Sequence, residues 1–171
     1  MQRHFTVTTF VSADGATLLH WHAKSRMWLP PGGHIEPNED PLQAALREAL
    51  EETGIAVTLL PTAELFAYAS PRQLPPPATV MVEPIPAAGD EAAHEHLDLI
   101  YFARPLESGR PQMDGPRAEA GWRWVSSETL RADQSLYLPA GRAQDDAIAA
   151  RVPGDVRVLG LAAIERAAQS R

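Results

Sequence analysis

The sequence contains no cysteine. That excludes a disulfide framework, a thiolate zinc site, an iron–sulfur cluster and a thiol nucleophile. Lysine is almost absent too. Lys24 stands alone beside 14 arginines, and 22 acidic residues outweigh the 15 basic ones to leave a net charge of −7. Such a chain has no basic footprint for non-specific nucleic-acid binding, so no nucleic-acid partner is expected. An anionic small substrate stays open, because a bound divalent cation reverses the sign of the local field. No apolar run nears the ~20 residues that span a bilayer. The first 15 residues alternate polar and apolar and lack the apolar core of a secretory signal, so a cytoplasmic protein with no membrane partner is expected. What is present is an ordinary globular balance, 44% hydrophobic and 22% charged over 171 residues. It predicts a single domain over residues 1–171.

Along the chain, Phe5–Val11 alternates, Asp14-Gly15 marks a turn and Thr17–Trp21 is apolar, which predicts a hairpin. Pro30-Pro31-Gly32-Gly33 predicts an end to regular structure, with a loop to Asp40. Ile55–Ala69 reads as strand broken at Pro61, and six prolines from Pro71 to Pro86 predict a loop or an interrupted edge strand around Thr79–Val82. His96–Ala103 reads as that strand's central partner and Trp122–Val125 as a short strand. Ser126-Ser127-Glu128 opens a helix, and after a polar stretch and Pro153-Gly154 a last helix covers about residues 159–169. Strands on both sides of an early helix, with a helix at the end, predict an α/β fold with a mixed sheet between helices.

That early helix, residues 41–53, is the most informative segment. Asp40 is placed to cap it, Pro41 occupies the first turn, Gln43 completes a capping box and Gly54 ends it. Leu42, Ala45, Leu46, Ala49, Leu50 and Thr53 follow the spacing of one buried face. On a wheel centred on Leu42, Glu51, Glu48 and Glu52 fall at about 180°, 240° and 280°, roughly opposite that face. Like charges at these spacings destabilise a helix. A solvated acidic surface is the plain reading, and a hard divalent cation taking oxygen ligands is the functional one.

The glycines upstream bear on that choice. Gly33, Glu39, Arg47, Glu48, Glu51, Glu52 and Gly54, with Ala49 and Ile55 at the aliphatic positions, match G-x5-E-x7-R-E-U-x-E-E-x-G-U, where U is aliphatic. The segment resembles the box of the Nudix hydrolases, Ala49 being smaller than the usual residue. The resemblance implies a Nudix-type α/β/α sandwich with a mixed sheet and metal-dependent cleavage of a nucleoside diphosphate linked to another group. By position it implies that Glu48, Glu51 and Glu52 hold Mg²⁺ or Mn²⁺ together with the Gly32 carbonyl. It further implies that Glu48 or Glu52 serves as general base, and that Arg47 and Glu39 orient the cluster. Gly33 admits a close backbone approach, and Lys24 and Arg26 are candidate phosphate contacts.

His94, His96 and Asp98 alternate onto one strand face and form a second candidate ligand set. Glu119 is a candidate further acid, and Trp28, Phe66 and Tyr68 are candidate base-stacking rings or core residues. Pro71, sixteen residues past Ile55, resembles a feature of ADP-ribose-cleaving relatives. Nucleoside triphosphates stay equally open as substrates, and so does the oligomeric state. A Nudix-fold sensor that binds a nucleotide without cleaving it is the alternative, but such sensors tend to lose the glutamates that are complete here. The isomerase branch of the fold relies on a cysteine that this chain lacks.

Overall fold

Two long strands organise the sheet, and each serves different neighbours at its two ends. The protein is described here from a computed structural model covering residues 2–89, 91–136 and 150–170. Strand β1 (Gln2–Ala13) runs parallel to β7 (His94–Pro105) along ten paired positions. On its other edge β1 meets β4 (Gly32–His34) through Thr6–Thr8 and then β2 (Ala16–His22) through Ser12 and Ala13. On the far edge of β7, the early half pairs with β6 (Thr79–Ile85) and the late half with β5 (Val57–Leu59). Strand β2 also pairs with β3 (Met27–Leu29) and β8 (Arg123–Ser126). Since β1 and β7 are parallel while the other pairs are antiparallel, the sheet is mixed, as expected.

Alternation along β1 sorts side chains to two faces. Val7 and Val11 pack toward α1 (Pro41–Thr53) with Ala44, Ala45, Ala49, Tyr101 and Ala103, and the Thr9 hydroxyl donates to the Ala45 carbonyl. Phe10 packs on the opposite face with Ile100, Phe102, Leu130 and the helix α4 (Gly154–Gln169), through Val156, Ala163, Ile164 and Ala167. Two short helices, α2 (Gly115–Glu119) and α3 (Ser127–Arg131), flank β8. The sheet therefore lies between α1 and α4.

Several expectations need correction. The segment Gly32–His34 is a strand rather than loop. Glycines hide it from sequence patterning, and its formation depends on the β1 edge. The expected strand over Ile55–Ala69 shrinks to Val57–Leu59, because only that piece finds an edge of β7. Helix α4 begins at Gly154, a turn and more before the expected start. The polar stretch ahead of Pro153 lies largely outside the described residues. Among the described residues no helix is long and apolar enough to cross a membrane.

Candidate active site

Helix α1 forms where its punctuation predicts. The Asp40 carboxylate accepts from the Leu42 and Gln43 amides, both at 3.0 Å, and Gln43 accepts from the Asp40 amide at 2.8 Å. Gly54 ends the helix with φ 66°, a left-handed conformation that disfavours side chains. The buried face, however, is rotated from the expected one. Ala44, Ala45, Ala49 and Thr53 are buried, while Leu46 and Leu50 are exposed. On the Leu42 wheel this arc runs from about 200° round to 20°, so Glu48 and Glu52 lie within it and not opposite it. Alanines let the helix approach the sheet closely, and the facing strand is Gly32-Gly33, which leaves room for two carboxylates.

That room can be measured. A Cβ on Gly33 would stand 2.3 Å from a Glu48 carboxylate oxygen, and one on Gly32 would stand 2.4 Å from the Val7 carbonyl oxygen. The Gly32 amide donates to Glu52 at 3.1 Å. Glu52 is open to solvent on one side, yet desolvation pushes its carboxyl up to about 7, against the lowering effect of the Gly32 amide.

Arg47 ties the remaining acids together. Its Nε and Nη2 form a fork on Glu39, both at 2.9 Å; Nη1 donates to Glu48 at 2.7 Å and to Glu51 at 3.2 Å; Nη2 also donates to the His34 carbonyl at 3.0 Å. Glu39 is held below its usual carboxyl range, chiefly by the Arg47 hydrogen bonds. The guanidinium thereby offsets the repulsion that the sequence spacing creates and holds Glu39, Glu48 and Glu51 in place.

Beside this rim lies a cleft of about 340 Å³, large enough for a small ligand. It is lined by Gly32, Gly33, His34 and Glu52, by Thr6, Thr8, His96, Asp98 and Glu83 on the sheet, and by Asp155 at the start of α4. No lysine or arginine is among the described residues lining it. Glu83 is pushed up to about 7 by desolvation and then by Asp98 and Asp155. Asp98, buried, accepts hydroxyl hydrogen bonds from Thr6 at 2.9 Å and Thr8 at 2.7 Å; burial raises its carboxyl and these bonds oppose the rise. Burial, then His34, His94 and His4, lower the His96 imidazole.

Other candidates fall elsewhere. Lys24 and Arg26 lie in the exposed β2–β3 turn and do not line the cleft; Lys24 is 4.0 Å from Glu91. Glu119 and Pro71 are exposed and likewise absent from its lining. Trp28 is core, while Phe66 and Tyr68 are exposed in the segment between β5 and β6. His94, His96 and Asp98 share a face, but both Asp98 oxygens are engaged by threonines, and His96 groups instead with His4 and His34. Sequence reading missed Glu83, Asp155, His4 and His34. Cross-strand register and the α4 position bring them together, and no local motif marks them.

Glu48, Glu51 and Glu52 supply carboxylate oxygens of the kind a hard divalent cation takes, but among the described residues the ligand atoms already gathered within 4.8 Å of one another are those of His4, His34 and His96. Residues 2–148 match the NUDIX domain family profile. A solved NUDIX-family hydrolase from Clostridium perfringens is 25% identical, with a TM-score of 0.62, over 96% of this chain and 98% of that one. An RNA pyrophosphohydrolase from Bartonella henselae is 33% identical over 108 residues, 60% of this chain and 58% of the relative. A putative 8-oxo-dGTP diphosphatase from Bacillus subtilis is 32% identical over 104 residues, 61% of this chain and 53% of the relative. The match thus spans little more than half the length of these two curated relatives. With the box in place on α1, the glycine strand fitted against its glutamates and the family profile covering most of its length, the chain belongs to the Nudix family.

Proposed function

We propose that this protein is a divalent-metal-dependent pyrophosphohydrolase that cleaves a nucleoside diphosphate linked to another moiety, and that residues 1–171 form one domain. The observation that carries the reading is the seating of Glu48 and Glu52 against Gly32-Gly33 at the rim of the cleft. Glu48, Glu51 and Glu52, with the Gly32 backbone, would hold Mg²⁺ or Mn²⁺. Such an ion neutralises diphosphate charge and lowers the pKa of bound water. The need for it is local, because the described residues of the cleft offer a polyanion carboxylates and imidazoles but neither lysine nor arginine. Glu48 or Glu52 accepts the proton of the attacking water, while Arg47, already saturated by Glu39, Glu48 and Glu51, positions the acids. Gly33 gives the substrate backbone to approach. Lys24 and Arg26, on the exposed turn, act only on a substrate group extending beyond the cleft.

The substrate class is tested by product identification on a panel of nucleoside triphosphates, including 8-oxo-dGTP, with ADP-ribose and 5′-triphosphorylated RNA. At least one should be cleaved at a phosphoric anhydride. Turnover should vanish with a chelator and return with Mg²⁺ or Mn²⁺. Turnover that survives thorough metal removal would overturn the reading, and nucleotide binding without any cleavage would favour the sensor alternative.

A further inference from the structure

Four of the six histidines gather at one end of the sheet. His4 on β1 is the direct parallel partner of His96 on β7, and His94 lies two residues earlier on the same face. His34 on β4 pairs with Thr6, one pleat along from His4. Their ring centroids stand 5.3 Å apart for His4 and His34, 5.0 Å for His34 and His96, and 6.0 Å for His4 and His96. One ring nitrogen from each of His4, His34 and His96 lies within 4.8 Å of the corresponding nitrogen of the other two.

The hydrogen-bond pattern prepares lone pairs for an ion. His94, 4% exposed, has Nδ1 3.0 Å from the Ala92 carbonyl, which can only accept, so that nitrogen carries the proton. In the neutral ring Nε2 then carries a lone pair. It lies 3.2 Å from His96 Nε2 and 3.6 Å from Glu91 Oε1; with His94 neutral, His96 Nε2 supplies the proton between the two rings and Nδ1 of His96 keeps a lone pair. This is the arrangement in which a supporting group orients a metal-binding imidazole. His34 Nε2 and His4 Nδ1 are 3.3 Å apart. Two nitrogens bound to one tetrahedral zinc at about 2.0–2.1 Å stand about 3.3 Å apart, so this edge needs little rearrangement. All three rings sit on paired strands, and the His34 backbone carbonyl is gripped by Arg47 at 3.0 Å.

We propose that His4, His34 and His96 form a second metal site, for a borderline divalent transition ion of the zinc, cobalt or nickel class, beside the oxygen-donor site of the box glutamates. Imidazole donors favour these ions, whereas carboxylates favour Mg²⁺ and Mn²⁺. His34 and His96 line the same cleft as Glu52, so an ion held there adds positive charge to a cleft otherwise rich in carboxylates. The site stands whether or not the chain hydrolyses nucleotides.

The test uses the untagged full chain in excess Mg²⁺, titrated with Co²⁺ and followed by visible absorption, with Zn²⁺ measured by equilibrium dialysis. Wild type and Glu52→Gln should each bind one equivalent of either ion. His34→Ala and His96→Ala should each weaken binding at least tenfold, and Zn²⁺ should raise the melting temperature of wild type but not of His34→Ala. If His96→Ala fails to fold, His34→Ala decides, because that side chain is exposed. The proposal is overturned by any of three results: no saturable binding in excess Mg²⁺, binding unchanged by His34→Ala, or binding abolished by Glu52→Gln.

Discussion

Individual side chains at the rim divide into those that hold shape and those that hold charge. Glu52→Gln keeps a carbonyl oxygen for the Gly32 amide and removes a desolvated negative charge, so the variant should fold with a melting temperature at or above that of wild type. Its turnover should fall by about 10²–10⁴, the range for loss of a general base. Kinetics and a melt on the purified protein check this, and full activity would remove Glu52 from the mechanism. The two glycines make a sharper contrast. In Gly33→Ala the new methyl meets the movable end of Glu48, so the carboxylate swings away from Arg47; activity should drop at least tenfold with little change in melting temperature. In Gly32→Ala it meets the Val7 carbonyl, and the β1–β4 pair must separate. That variant should lose about 1–3 kcal/mol of stability, as overpacked sites do. Denaturant titration of both variants distinguishes a displaced side chain from a displaced backbone.

For the elements, the question is what keeps α1 in register with the glycine strand. At its N-terminus the Asp40 side chain satisfies two amides, and Asp40→Ala should cost about 1 kcal/mol. At its C-terminus Arg117, from α2, donates to the Thr53 carbonyl at 2.7 Å and the Gly54 carbonyl at 2.8 Å. It satisfies helix-end carbonyls and places positive charge at the negative end of the dipole. Arg117→Ala should therefore cost about 1–3 kcal/mol. Arg72→Ala, which removes only an exposed pair with Asp40, should be nearly neutral. Chemical denaturation of the three variants checks the ranking, and an Arg117→Ala as stable as Arg72→Ala would mean that α1 needs no support from α2. The cap at Asp40 was legible in the sequence because its partners lie within three residues. The Arg117 clamp was not, since 63 and 64 positions separate donor and acceptors.

At the scale of the whole molecule, the acidic cleft ties stability to pH. Glu83 has its carboxyl lifted to about 7 from an ordinary 4.5 by desolvation and by Asp98 and Asp155. Between those values the folded state binds the proton more tightly than the unfolded chain, so stability falls as pH rises through that window. Glu52 and Asp98 shift in the same direction, so the slope does not rest on Glu83 alone. Glu83→Gln should remove part of it. The variant's melting temperature should exceed wild type by more at pH 8 than at pH 5, with a stability gain on the order of 2 kcal/mol at the higher pH. A difference that does not change with pH would show that Glu83 ionises in the fold as freely as in the unfolded chain.

Local sequence was enough to specify the helix that carries the box and its two caps, and with them the acids and the two flanking glycines. Each of these depends on contacts within a few residues, and such contacts repeat wherever the motif occurs. It also determined that His94, His96 and Asp98 share a face, since alternation on a strand is local. Which side of α1 is buried depends instead on packing against the sheet. Apolarity favoured Leu46 and Leu50, but the close seat on the sheet is open to alanines and to carboxylates facing bare glycine backbone. Tertiary structure alone decided that Asp98 is occupied by Thr6 and Thr8, and that His96 meets His4 and His34 from two other strands. Strand pairing across 24 to 28 positions for β4 on β1, and across 92 for β7 on β1, sets those meetings, and the register of a sheet is a property of its neighbours, not of any one strand.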